Sequence, residues 1–262
     1  MNHPTDSTGT AAIWVENLLK QFGNFTAVDR ISFTVNRGEI FGFLGANGAG
    51  KSTTIRMLCG ILQPTSGRGR VAGLDIIQES EEIKKRIGYM SQRFSLYQDL
   101  TIGENIDFYM GIYGVGRSRR KQRKAWVLEM TRLQDKTDLL TSSLPAGFRQ
   151  RLALGCALLH EPEIVFLDEP TSGVDPLTRR SFWAFIRDLA HTGTTVFVTT
   201  HYMDEAENCQ RIAMIFTGRI LACGSPLELK ADWAADLPRP TLQHVFVRLQ
   251  QVAEGTSVLH KR

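Results

Sequence analysis

Cysteine is scarce: Cys59, Cys156, Cys209 and Cys223 are all that 262 residues contain, far apart, with no C-x-x-C pair. That pattern excludes a disulfide framework and a cysteine zinc site, and leaves buried, reduced thiols in a cytosolic chain as the expectation. Long hydrophobic runs are also missing. The apolar stretches, such as 164–167 and 196–198, are strand-length, whereas a membrane-spanning helix needs ~20 apolar residues. The polar start through Ala12 lacks the apolar centre of a secretory signal. No internal repeat or low-complexity tract is visible. Nor does one sign of charge dominate. Thirty-one Lys and Arg against 27 Asp and Glu give +4, but six bases fall within 117–124 and the rest of the chain sums to −2. Such a balance argues against a nucleic-acid partner. What is present is an ordinary globular composition, 42% hydrophobic and 22% charged, in a chain long enough to bury a sizeable core.

Short β-rich runs alternate with helical patterns, which predicts an α/β protein with a largely parallel sheet. Segments 31–35 and 40–44 read as strands, and 52–59 as a helix ended by Gly60. The apolar runs 164–167 and 195–199 lack polar alternation, so they are expected at the centre of the sheet, covered on both faces. Between them, Phe182, Ile186 and Leu189 recur at helical spacing over 178–190, giving a strand–helix–strand unit with a right-handed crossover. The section 94–160 is different, with helical patterns and Gly-bearing breaks at Gly111, Gly114 and Gly116. A helical subdomain inserted into the core is the expectation. Segment 231–240 reads as a Pro-containing break, and 241–251 as a helix with Leu242, Val245, Phe246 and Leu249 on one face.

Between the strand at 40–44 and the helix after it stands Gly45-Ala46-Asn47-Gly48-Ala49-Gly50-Lys51-Ser52, a phosphate-binding loop pattern in its required setting. Glycines let the backbone curl so that its N–H groups face one anion, and the following helix adds its positive end. Lys51 is then expected to reach the β- and γ-phosphates of a nucleotide, and the Ser52 hydroxyl to hold Mg²⁺. A second oxygen site is required, because Mg²⁺ takes hard ligands and a hydrolytic water must be oriented. Asp168-Glu169 supplies it at the end of an apolar strand, where ligands of parallel sheets collect. Asp168 is the candidate on the Mg²⁺ side and Glu169 the candidate base. Taken alone, the other candidates are unremarkable residue types: a histidine after a strand, a glutamine opening a loop, an aromatic near a turn.

Five motifs in one order make the chain resemble the ATP-binding subunits of ABC transporters over nearly its whole length. Gln92, after the strand 87–90, matches the glutamine loop that meets Mg²⁺ and links nucleotide to the membrane partner. Ser172-Gly173-Val174-Asp175 matches the loop that crosses to an opposing subunit, His201 the switch histidine at the γ-phosphate, and Phe22, in Lys20-Gln-Phe-Gly23, the aromatic stacked on adenine. The resemblance implies a P-loop core with a mostly parallel sheet, an N-terminal antiparallel β part and an inserted helical subdomain. It implies one ATP-binding domain over 1–262: a core of 13–92 and 161–230, a helical subdomain at 93–160, and a C-terminal linker and helix at 231–262. Nucleotide contacts are implied for Gly45 to Thr53, with Thr53 the last of them, and for Gly147 and Asp175. Cofactors implied are ATP and Mg²⁺; partners are transmembrane permease subunits and a second cassette, homo- or heteromeric and head to tail, on the cytoplasmic face of the membrane.

One segment departs from the family pattern. Where Leu-Ser-Gly-Gly-Gln is the rule, this chain reads Leu144-Pro145-Ala146-Gly147-Phe148, followed by 149–154 at the expected opening of a helix. Pro145 brings neither hydroxyl nor N–H, so capping of a partner's nucleotide would fall to the Gly147 amide and the helix end. The sequence around 144–154 and 199–207 resembles the efflux branch, whose ATPases serve separate membrane proteins and expel drugs, antibiotics or lipid-like compounds. The remaining readings are a soluble ATPase of the same superfamily acting on ribosomes or DNA, and a small-molecule kinase. The 117 residues between Lys51 and Asp168 carry no sustained heptads, unlike the DNA-acting relatives. A kinase leaves Gln92, Asp175 and His201 unexplained. The basic run 117–124 has two readings, a solvated helix face or a patch for anionic lipid.

Overall fold

The computed structural model describes residues 11–92 and 96–255. The chain opens on an antiparallel hairpin of β1 (Ala11–Phe22) and β2 (Phe25–Asn36), turning at Gly23, whose φ of 55° suits a residue without Cβ. Strand β3 (Ile40–Leu44) is buried throughout and leads into helix α1 (Lys51–Leu58). The chain then returns to β1: β4 (Ser66–Val71) pairs along its free edge and β5 (Leu74–Asp75) closes a four-stranded sheet ordered β2-β1-β4-β5. Helix α2 (Ser80–Arg86) feeds β6 (Ile87–Met90).

Next comes the helical section, α3 (Ile102–Ile112), α4 (Arg117–Thr131) and α5 (Ala146–Ala157). A capping box of Thr101 and Glu104 starts α3. Gly111 lies within α3 and not in a break, since the helix runs on to Ile112; the chain turns only at Gly114, with φ 64°. Residues 93–95, at the predicted start of this section, lie outside the described residues. Strand β7 (Ile164–Asp168), helix α6 (Pro176–His191), strand β8 (Thr195–Thr200) and the short α7 (Met203–Ala206) follow. A second hairpin of β9 (Arg211–Phe216) and β10 (Arg219–Gly224) precedes α8 (Pro226–Ala234) and α9 (Leu242–Ala253). The predicted break at 231–240 therefore begins later, because the Ser225–Glu228 capping box and Pro226 start a helix that runs on to Ala234.

A six-stranded sheet ordered β10-β9-β3-β8-β7-β6 forms the centre, parallel except for β10. Alternation along β3 splits the core. Phe41 and Phe43 join Phe33, Phe166 and Phe197 on the face toward β1 and α1, with ring centroids 5.5–6.0 Å apart. Ile40 and Leu44 face the helical section and the C-terminal helices. Each buried ring contributes about 2–3 kcal/mol by removal from water. The register matters for function: Leu44 pairs with Thr200 and Asp168 with Thr199, so Gly45, Glu169 and His201 leave the sheet side by side.

One expectation changes. Cys59, Cys156 and Cys209 are buried free thiols, but Cys223 is exposed, with Sγ 3.7 Å from the Arg211 guanidinium. The basic run on α4 is mostly committed to the fold. Arg123 donates to the Leu158 and Leu159 carbonyls at 2.7 and 2.9 Å, satisfying the end of α5, and Arg119 and Arg123 both pair with Glu161. Lys124 pairs with Asp107 at 2.7 Å and Arg120 donates to the Val115 carbonyl. Arg117, Arg119 and Lys121 are exposed, and the carbonyl that Arg120 meets leaves its charge in place, so the run remains a net positive helix face in solvent.

Candidate nucleotide site

The phosphate loop is held open by backbone crowding that only glycine permits. A Cβ on Gly45 would lie 2.3 Å from the Ile215 carbonyl oxygen, and one on Gly50, at φ 105°, would lie 2.5 Å from that of Ala27. Gly50 caps α1 without any side-chain acceptor, so the first N–H groups of the helix point at the loop with its positive end. The helix begins at Lys51, one residue before the predicted start. Lys51 is 4% exposed; its Nζ donates to the carbonyls of Gly45 (2.8 Å) and Ala46 (3.1 Å) and lies 3.0 Å from Glu169 Oε1. Ser52 Oγ donates to Asp168 Oδ1 at 3.1 Å.

Both carboxylates are fixed from β8. Thr199 Oγ1 donates to Asp168 Oδ1 at 2.7 Å and accepts the Glu169 N–H at 3.0 Å. Asp168 and Glu169 are 2% and 7% exposed, a burial that ions tolerate only when paired and hydrogen-bonded. Glu169 sits at φ 49°, a left-handed conformation that turns its side chain back over the loop. Its Oε2 accepts from Gln92 Nε2 at 3.1 Å and lies 3.2 Å from His201 Nδ1, the protonated ring nitrogen in this geometry. One carboxylate thus touches Lys51, Gln92 and His201, residues from three separate segments.

The cavity at this place is about 290 Å³ and is lined by Asn47, Gly48, Lys51, Ser52, Thr53 and Gln92, among others. Phe25 lines it, whereas Phe22, the predicted ring, does not. The two rings are cross-strand partners around the β1–β2 turn, and the Lys20 ammonium sits 4.9 Å over Phe22. An aromatic on each side of Gly23-Asn24 was the available signal, and it did not say which ring faces the loop. Ala46 and Ala49 serve through their backbones, the Ala46 carbonyl accepting from the Ala49 N–H.

Gly147 and Asp175 stand elsewhere. They line a separate opening of about 650 Å³ with Arg132, Pro145, Phe148 and Arg151. Helix α5 opens at Ala146, ahead of the predicted 149, with Pro145 as its N-cap and no side-chain cap. The Phe148 and Arg149 N–H groups bond the Pro145 carbonyl, leaving Ala146 and Gly147 to present theirs. Gly147 is pressed against α6: a Cβ there would lie 2.4 Å from Thr178 Cγ2. Asp175 caps α6, accepting from the Leu177 and Thr178 N–H groups, and its bonds to Thr178 hold its carboxyl below the usual range.

A family model described as ABC transporter matches residues 28–172. The Escherichia coli protein named probable multidrug ABC transporter ATP-binding protein YbhF is 49% identical over 249 residues, 94% of this chain, which spans 43% of that relative's length. The daunorubicin/doxorubicin resistance ATP-binding protein DrrA of Streptomyces peucetius is 38% identical over 242 residues, covering 92% of this chain and 73% of the relative. A solved structure described as an ATP-binding subunit of an ABC transporter superposes with a TM-score of 0.81 at 26% identity, over 91% of this chain and 99% of that one. A dimeric, post-hydrolysis ATP-binding cassette bound to ADP and phosphate gives 0.74 at 25% identity, over 81% and 98%. A matching family model over more than half the chain, a shared fold and a phosphate loop closed by Asp168 and Glu169 lead to one conclusion: the chain belongs to the ABC transporter ATP-binding family.

Proposed function

We propose that this chain binds ATP with Mg²⁺, hydrolyses it, and drives export through separate membrane subunits. The observation that carries the reading is the single carboxylate, Glu169, held by Lys51, Gln92 and His201 above the phosphate loop. The amides of the loop and of the first turn of α1 receive the β- and γ-phosphates, and Lys51 is the buried cation facing them. Glu169 is the general base for the attacking water, oriented by its bonds to Gln92 and His201. Ser52 Oγ and Asp168 Oδ1 are hard oxygens 3.1 Å apart, and Gln92 adds a third donor residue. This set fits Mg²⁺, which takes one or two carboxylates and completes its shell with phosphate and water. Among the described residues no cluster of three His, Cys, Asp or Glu side chains could hold a metal by itself. Bound there, the ion supplies charge against the phosphates.

Phe25, by its place on the cavity, stacks on the base, and Gly147 with Asp175 completes the site of a second cassette. Support for that pairing is that both sit apart from the phosphate loop of their own chain, and that a related cassette is a dimer. Among the described residues no helix is long and apolar enough to cross a membrane; membership of the ABC transporter family supports docking on permease subunits at the cytoplasmic face as the proposed location. The relatives named for multidrug, linearmycin and daunorubicin resistance support drug- or antibiotic-like or lipid-like cargo. The test is phosphate release from ATP·Mg²⁺ with bound nucleotide measured in parallel. Glu169→Gln should lower kcat by about 100-fold or more while ATP stays bound. A wild-type chain that neither binds nor hydrolyses ATP overturns the reading, and brisk turnover by Glu169→Gln removes Glu169 from its role.

A further inference from the structure

Glu205, on α7, is a buried carboxylate that the chemistry above does not use. It is 1% exposed, and burying an ion is costly unless its partners are well placed. Those partners come from both loops that leave the sheet beside the phosphates. Thr171 Oγ1, one residue before Ser172–Asp175, donates to Glu205 Oε1. Thr200 Oγ1, one residue before His201, donates to Oε2 at 2.7 Å and accepts the Tyr202 N–H at 3.0 Å. Both hydroxyls belong to residues 1% exposed. The counter-charge is Arg179 on α6, with Nε 3.2 Å from Oε1, and its guanidinium lies 4.1 Å over the Tyr202 ring. That ring in turn packs at 4.1 Å on His201, whose Nδ1 reaches Glu169.

We propose that Glu205 is a positioning residue for hydrolysis: it locks the loop carrying Asp175 to the loop carrying His201, so that His201 meets Glu169 in one orientation. The proposal rests on the ATP-hydrolysis reading. The charge is needed because each oxygen accepts from one threonine hydroxyl while Oε1 also faces Arg179. A neutral amide offers one acceptor oxygen and turns an NH2 donor to the other side, so one threonine hydroxyl loses the acceptor of its proton and Arg179 loses its counter-charge at Glu205. The loops keep their packing but not their mutual register.

The test uses the full chain as wild type, Glu205→Gln, His201→Ala and the double variant. Single-turnover ATP hydrolysis over hours keeps slow variants measurable, and binding of a fluorescent ATP analogue reports on the folded phosphate loop. Glu205→Gln should slow hydrolysis about tenfold or more, as misplacement of a reacting group does, with the analogue's Kd within about twofold of wild type. In the His201→Ala background the same substitution should add less than about twofold, because the two residues act as one unit. Hydrolysis by Glu205→Gln within about twofold of wild type overturns the proposal, as does an undiminished tenfold loss in the His201→Ala background. If Glu205→Gln fails to bind the analogue, Thr200→Val carries the same cycle with the same two criteria. Absent hydrolysis by the wild type condemns the ATPase reading itself, which separates that failure from a failure of Glu205.

Discussion

Lys51 and Gly147 stand in the first turns of two helices, α1 and α5, and the two helix ends are built differently. At α1 the side chains are committed: Lys51 is tied to Glu169 and Ser52 to Asp168, in a pocket lined also by Asn47, Thr53 and Gln92. At α5 the side chains are absent. Pro145, Ala146 and Gly147 offer backbone and helix dipole alone, pressed against Thr178 of α6. Chemistry that depends on a specific charge fixes residue identity, whereas anion capping by N–H groups leaves identity free. Hence the capping proposed for Gly147 needs no serine at position 145, while the phosphate loop follows its pattern residue by residue.

The contrast can be broken most directly at Lys51. Lys51→Ala removes the buried cation and should cost about 2–3 kcal/mol, roughly 30- to 150-fold in ATP affinity, read by calorimetry; affinity within a few-fold of wild type contradicts the phosphate-loop role. The joint between the two regions should respond to pH. His160 stacks on Tyr113 of the helical section at 4.0 Å, and its Nε2 lies 3.0 Å from the Ile87 carbonyl of β6. Burial pushes its pKa from 6.5 to about 4. An unfolded chain therefore binds a proton that the folded one refuses between those values, so stability is full above pH 6.5 and falls as pH drops toward 4. From pH 7.5 to pH 5 that group should cost about 2 kcal/mol. Denaturant midpoints should show a shallower slope for His160→Gln, and an unchanged slope excludes this residue as the source.

Smaller effects belong to α5. Gly147→Val drives a side chain into Thr178 and moves the helix end, so turnover should fall about tenfold with ATP affinity unchanged; a parallel loss of affinity would mean that the two helix ends are not separable. Pro145→Ser installs a side-chain cap and should stabilise the chain by about 1 kcal/mol, with turnover altered less than about threefold. A larger rise would show that the missing hydroxyl, not the amide, limits the rate.

Legibility in the sequence followed the same division. Strands β3, β7 and β8 were readable nearly to the residue because they are largely apolar runs without polar alternation. Of the loop ends that leave the sheet, Gly45–Ser52 and Asp168-Glu169 were readable because phosphate chemistry prescribes residue types, whereas Gln92 and His201 were readable only through the resemblance. Strand β4, Ser66–Val71, was not readable: its two glycines and two arginines have no strand preference, and only pairing with β1 makes it extended. β1 itself carries register shifts that blur its alternation. Phe25 was missed because a hairpin turn decides which of two rings faces the cavity. Glu205 was missed because Met203-Asp204-Glu205 reads as a solvated surface; its burial depends on Thr171, 34 residues away.

The pairing proposed for Gly147 and Asp175 with the site of a second cassette takes its simplest form when two copies of this chain close over ATP. Light scattering coupled to size exclusion, on Glu169→Gln in ATP·Mg²⁺, tests it in one measurement. The expected result is a dimer that forms with ATP·Mg²⁺, is absent with ADP, and is lost on adding Gly147→Val. A monomer with ATP bound would contradict the claim, placing the missing half of the site on a different cassette.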